Sequence, residues 1–245
     1  MKATDFEFRN RFWIFGLIFG LGFWLYALDH GNVIQYLINI TIGQNSPRAD
    51  LMARCALAFA TLLMLLTALL RTWATSYLRS DVMQDHDLRA EKVVASGPYR
   101  HLRNPLYLGN ILMAFGMGLL ASRVGFLVIV VGNFIFCLRL IGLEESNLQK
   151  EQGESYFEFC RRVPRLWPSL QPRLPDSGLK PHWKQAFVGE LFMWGFFAAV
   201  AVFAVTLNTK FLWIILAASM LAYIASSYLI AWRKKTGNCL ARTDG

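Results

Sequence analysis

The sequence predicts an all-α fold: a polytopic membrane protein with about six transmembrane helices. Three observations predict it. Of 245 residues, 55% are hydrophobic and only 17% are charged, whereas a soluble domain is roughly 45–50% apolar even with Gly counted. Mean hydropathy is +0.37. The apolar residues gather in six runs, and the charges sit between the runs rather than along them, the distribution of topology-setting charges.

The first run, residues 12–28, is 17 uncharged residues between Arg9 and Arg11 on one side and Asp29 and His30 on the other. It is just long enough to span. No small-residue cleavage site follows, so a span is expected here rather than a cleaved leader. Residues 29–50 read as a polar connection around Asn45, Ser46 and Pro47. Residues 51–70 form the second run, with Arg54 placed to snorkel. Residues 71–104 read as a basic loop holding Arg71, Arg79, Arg89, Lys92, Arg100 and Arg103.

Runs three and four, residues 105–121 and 124–138, are separated only by Ser122 and Arg123 and predict a tight helical hairpin. Residues 139–185 open with an amphipathic helix continuing run four through Leu143, Leu148, Tyr156 and Phe157. Gly153 weakens that helix, and Pro164 and Pro168 end it. Run five, residues 186–207, is interrupted only by Glu190. A functional role and a snorkelling one are both open to that carboxylate. Residues 211–231 form run six, and residues 232–245 a basic, loose tail.

With both termini cytoplasmic, the inner segments 1–11, 71–104, 139–185 and 232–245 hold 21 of the 25 Lys and Arg. The positive-inside rule favours that orientation. The net charge of +9 is therefore a topology signal, and no nucleic-acid partner is expected. Four Cys at 55, 137, 160 and 239 form no paired or metal-binding spacing, so neither a disulfide framework nor a metal site is predicted. Three regions result: 1–95 with two spans, 96–168 with the hairpin and the polar segment after it, and 169–245 with a linker and two spans.

The chemically rich stretch is SGPYRHLRNPLYLGNILMAFGMGLL, residues 96–120. Pro105 suits a first helical turn, and Asn104 before it suits the N-cap. A helix start beside Arg100 and Arg103 is a seat for an anionic group. Gly109, Gly116 and Gly118 allow close approach to the backbone. The plainer reading is a membrane-edge loop with helix-packing glycines. Farther on come Glu144-Glu145 and then ESYFEFCRRVPRLWP, residues 154–168. In isolation such features also suit a solvated helix face and interfacial anchors.

Taken together, the three blocks resemble the isoprenylcysteine carboxyl methyltransferases and the related phospholipid methyltransferases. The shared pattern is GPY-x3-RHP-x-Y-x-G, then EE-x2-L, then Y-x2-F/Y-x2-RVP-x3-P, and it covers residues 97–168. One departure is visible: the family's RHP is Arg103-Asn104-Pro105 here. Asn cannot titrate near neutrality as His does, and His101 is not placed to substitute.

The resemblance implies an integral membrane methyltransferase that uses S-adenosyl-L-methionine, with its catalytic segment on the cytoplasmic side. It implies a catalytic set of Arg103, Arg162 and Glu144. It implies a cofactor-binding set of Pro98, Tyr99, Asn104, Pro105, Tyr107, Gly116, Gly118 and Glu145. The expected substrate is a lipid-like or prenylated small molecule reached from the surrounding membrane lipids. A carboxylate needs no general base, so the Asn104 departure leans towards carboxyl methylation. The alternatives are a phospholipid amine N-methyltransferase, an NADPH-dependent membrane reductase and a non-enzymatic lipid carrier.

Overall fold

The computed structural model describes residues 1–43, 45–78 and 96–240, with side chains described up to residue 226. Arg79, Arg89 and Lys92 of the expected basic loop, and Arg242 of the tail, lie outside the described residues. The described chain is helical, and the one isolated bridge among the described residues joins Asn32 to Ser122.

A short helix α1 (Asp5–Arg9) begins with a capping box, in which Thr4 and Glu7 satisfy each other's backbone N–H groups. Helix α2 (Arg11–Trp24) runs on into a single 3₁₀ turn at Leu25–Ala27. At 1.5 Å per residue these 17 residues cover about 25 Å, short of a full hydrocarbon core. Within the expected polar connection lies a further helix, α3 (Val33–Thr41), capped by the Asn32 side chain. Its apolar face, Val33, Ile34 and Ile38, packs on Leu57. The polar residues around it concealed this element in the sequence.

Helix α4 (Ala49–Tyr77) is longer than its apolar run. Nothing between Arg71 and Tyr77 breaks a helix, so Arg71 belongs to α4 and not to the loop expected for it. Helix α5 (Pro105–Gly118) starts at the predicted proline. Helix α6 (Arg123–Gln152) is one continuous 30-residue rod, started by the Ser122 hydroxyl on the Gly125 N–H. Run four and its amphipathic extension are therefore a single helix. It stops at Gly153, whose φ of +56° is left-handed and favours glycine. Helix α7 (Glu154–Arg162) follows.

Helices α8 (Trp183–Gly189) and α9 (Leu191–Thr206) meet at 63° around Glu190. Helix α10 (Thr209–Leu240) extends through most of the tail that reads as loose in the sequence. Among the described residues three helices are long and apolar enough to cross a membrane, α4, α6 and α10, or four if the bent α8–α9 pair is one span. Ala60, Met64 and Ala68 of α4 pack with Met193 and Val200 of α9 and with Met113 and Met117 of α5. Leu140 and Ile141 of α6 pack with Tyr107 and Ile111 of α5 and with partly buried residues of α2.

Candidate functional site

The turn at Gly153 builds the site. It folds α7 back on α6, burying Tyr156, Phe159 and Val163 against Leu148. The chain after α7 then runs beneath the start of α5. The Arg103 N–H donates to the Pro164 carbonyl at 2.9 Å, and the Ser169 N–H donates to His101 at 3.0 Å. The three sequence blocks are thereby joined.

Glu145 is their meeting point. It accepts from Arg165 Nε at 2.9 Å and from Asn104 Nδ2 at 3.1 Å, and Arg103 Nη1 lies 3.1 Å away. Arg103 Nη1 also donates to Cys160 Sγ at 2.8 Å. Asn104 is not the side-chain cap expected for α5: it makes no capping bond. Its amide is drawn instead to Glu145 and to the Arg165 carbonyl. The anion beside this helix start is the protein's own Glu145.

Glu144 sits one residue earlier and accepts from the Tyr107 hydroxyl at 2.9 Å. Tyr99, Arg103, Asn104, Pro105, Tyr107, Glu144, Glu145 and Arg162 all line one cavity of about 2830 Å³. Burial, and then the charge of Glu144, push the Tyr99 hydroxyl above its ordinary pKa. Much of the remaining wall is apolar, with Phe12, Phe15 and Phe19 of α2 and Phe192, Met193 and Trp213 of α9 and α10.

Other predicted site residues are placed apart. Arg162 lines the cavity but is 60% exposed and pairs loosely with Glu158 at 3.9 Å, not with Glu145. Pro98 is buried and does not line the cavity. Gly116 and Gly118 also lie off the cavity wall. A Cβ on Gly116 would come within 3.1–3.3 Å of Met64, Ala60 and Leu63 of α4. A Cβ on Gly118 would meet Phe126 and Val130 of α6 at 3.0 and 3.3 Å. Both glycines set helix packing.

The sequence reading missed a second polar group in the cavity. Arg71 Nε and Nη2 donate to Glu190 at 2.8 and 3.1 Å. Arg71 Nη1 donates to Asn110 Oδ1 at 2.7 Å, and the Thr75 hydroxyl donates to Glu190 at 2.8 Å. The lone charge in run five was the available signal; its partner was hidden because Arg71 reads as loop. Glu190 does not snorkel: it is 4% exposed.

Among the described residues, membrane-length helices around an apolar-walled cavity are the build of an integral membrane protein. Residues 55–155 match the family described as phospholipid methyltransferase. The chain is also similar to the nickel-cobalt-cadmium resistance protein NccN of Alcaligenes xylosoxydans xylosoxydans. The identity is 23% over 100 residues, covering 41% of this chain and 44% of that protein, so the chain spans less than half the length of this relative. No solved structure matches.

Proposed function

We propose that the protein transfers a methyl group from S-adenosyl-L-methionine to a lipid-like acceptor held in the cavity. The observation that carries this reading is the convergence of Tyr99, Tyr107, Glu144 and Glu145 on one apolar-walled cavity, within a chain whose residues 55–155 match a methyltransferase family. The lining suits the donor molecule: carboxylates are there for an ammonium, and the aromatic residues Tyr99 and Tyr107 line the same cavity.

When bound, S-adenosyl-L-methionine supplies an electrophilic methyl group on a sulfonium. The chain's own part is to align and to exclude water, the main requirements of an in-line displacement. Glu144 is oriented by the Tyr107 hydroxyl. Glu145 is fixed by Arg103, Arg165 and Asn104, so its role is to hold the α5 entrance against α6 as much as to meet a ligand. Asn104 takes no proton. A pre-ionised acceptor, an isoprenylcysteine-type carboxylate, therefore fits the residues better than an amine. The description of the matched family favours a phospholipid amine as the second reading, with Glu144 as the carboxylate that would receive its proton.

In the membrane, we take the six apolar runs as six crossings with both termini cytoplasmic. Runs one and three are completed by their flanking turns. The catalytic segment then faces the cytosol, where the soluble donor arrives. The deciding experiment follows thermal stability of the purified protein with S-adenosylhomocysteine and with NADPH. Stabilisation by the former alone is expected, because a ligand that binds only the native state raises the melting temperature. Stabilisation by NADPH alone would replace the reading with a reductase.

A further inference from the structure

The Arg71 group is an assembled feature of the cavity whose charged pair, Arg71 and Glu190, lies outside the three sequence blocks. A Cβ at Gly109 would fall 2.6 Å from Arg71 Cγ, so this glycine leaves room for the arginine stem to cross α5. The guanidinium then fixes Asn110. Arg can only donate, so the Asn110 atom lying 2.7 Å from Arg71 Nη1 is its carbonyl oxygen. The amide nitrogen must point away from Arg71.

Asn110 is 9% exposed, lines the cavity, and its amide nitrogen has no hydrogen-bond partner among the described residues. Glu190 has no comparable vacancy. One carboxylate oxygen takes Arg71 Nε, and the other takes Nη2 and the Thr75 hydroxyl. The group therefore offers N–H donors to the cavity and its carboxylate is spoken for. Tyr99, with a hydroxyl that can also donate, lines the same space within electrostatic reach of Arg71, Glu190 and Glu144.

We propose that Asn110, oriented by the Arg71–Glu190 pair, is the recognition point for an anionic oxygen, carboxylate or phosphodiester, on the head group of the methyl acceptor. That the occupant is the acceptor rests on the methyltransferase reading. The polarity of the cavity supports it. Glu144 puts a carboxylate on the cavity wall that favours an ammonium over an anion, while Glu145 is balanced by Arg103 and Arg165. The donor-rich group at Asn110 suits an anionic oxygen. Because Glu190 balances the Arg71 charge, the anion meets hydrogen-bond donors and no uncompensated cation, so it is selected by geometry.

The test measures binding without turnover, by the concentration dependence of the melting temperature in detergent. The probes are N-acetyl-S-farnesylcysteine and dioleoyl phosphatidylethanolamine. Farnesol and dioleoylglycerol are the uncharged controls with the same tails, and S-adenosylhomocysteine probes the other end of the cavity. Asn110→Asp keeps the oxygen that Arg71 needs and replaces the donor by an anionic oxygen. Asn110→Leu removes the polar group at similar volume.

The wild type is expected to bind at least one anionic probe about tenfold more tightly than its uncharged control. Both variants should lose that preference and bind S-adenosylhomocysteine as the wild type does. Farnesylcysteine alone would identify a carboxylate site, the phospholipid alone a phosphodiester site, and both the shared chemistry. Retention of the preference in both variants, or its absence from the wild type, overturns the proposal. A wild type that keeps the preference but ignores S-adenosylhomocysteine would remove the methyltransferase reading and leave the oxygen site standing.

Discussion

Arg71 and Glu190 meet across 119 residues of sequence, side by side at 2.8 Å, with little of either side chain open to solvent. Removing one partner leaves a buried charge uncompensated, which typically costs about 3–5 kcal/mol. Glu190→Ala should therefore lower the melting temperature strongly. Arg71→Met combined with Glu190→Met should recover most of that loss, because apolar replacement of a whole buried pair is often neutral. A double variant as unstable as the single one would mean that the pair itself holds α8 and α9 against α4. Melting curves of the three proteins in one detergent decide it.

The adjacent glutamates should separate by role. Glu145 has three partners from two other segments, whereas Glu144 lines the cavity beside Tyr107. Glu145→Gln should lower both melting temperature and affinity for S-adenosylhomocysteine. Glu144→Gln should lower affinity alone, by about 1.5–3 kcal/mol if one charged hydrogen bond is lost, or about tenfold to over a hundredfold. Glu151→Gln, on the same helix, is the control and should change neither. Calorimetric titration beside a melting curve reads both quantities, and identical behaviour of all three variants would return the pair to a solvated face.

Stability should carry an acid-side signature from the N-terminal strap. The Arg139 guanidinium, donating to Glu7 at 2.7 and 3.1 Å, holds the Glu7 carboxyl at about 2 against an ordinary 4.5, aided by the Thr4 N–H. A lowered native pKa means that this stabilisation is complete above about pH 4.5 and lost as pH falls towards 2. Glu7→Gln should lower stability at neutral pH and flatten its decline below about pH 5. Denaturation midpoints from pH 7 to 3 test this, and parallel curves for the two proteins would dissociate the strap from acid sensitivity.

The proposed orientation is open to labelling. In a background without cysteine, Asn45→Cys should react with a membrane-impermeant maleimide from outside intact cells, and Lys150→Cys only after lysis. Both positions are exposed, unlike Ser122, which is fully buried in the turn between α5 and α6. The reverse labelling would put Glu144 and Glu145 on the side away from a cytosolic donor.

Much of this architecture is legible in the chain. The helix start at Pro105 and the hairpin at Ser122 are local signals, set by ring geometry and a hydroxyl cap. Gly153 reads only as a weak point, whereas its left-handed backbone ends α6 there, before Pro164. The convergence of Tyr107 with Glu144 follows from the motif order, because a hairpin brings the start of α5 to the far half of α6. Asn104 misled because its type suits a cap, and type alone cannot reveal that Glu145 and the Arg165 carbonyl compete for its amide. Gly116 and Gly118 misled similarly: close approach was foreseen, but what approaches is a neighbouring helix. The Arg71–Glu190 pair was beyond reach, since it depends on where α4 ends and on a bend 119 residues later.

That bend lies outside the stretch that matches a known family. The stretch matching the methyltransferase family ends at residue 155, so it contains Glu144 and Glu145 but not Glu190. Arg71, Asn110, Glu144 and Glu145 thus come from one contiguous matched block, and the carboxylate that balances Arg71 comes from the C-terminal third. Substitutions around the α8–α9 junction therefore alter the setting of Arg71 and Asn110 without touching Glu144 or Glu145.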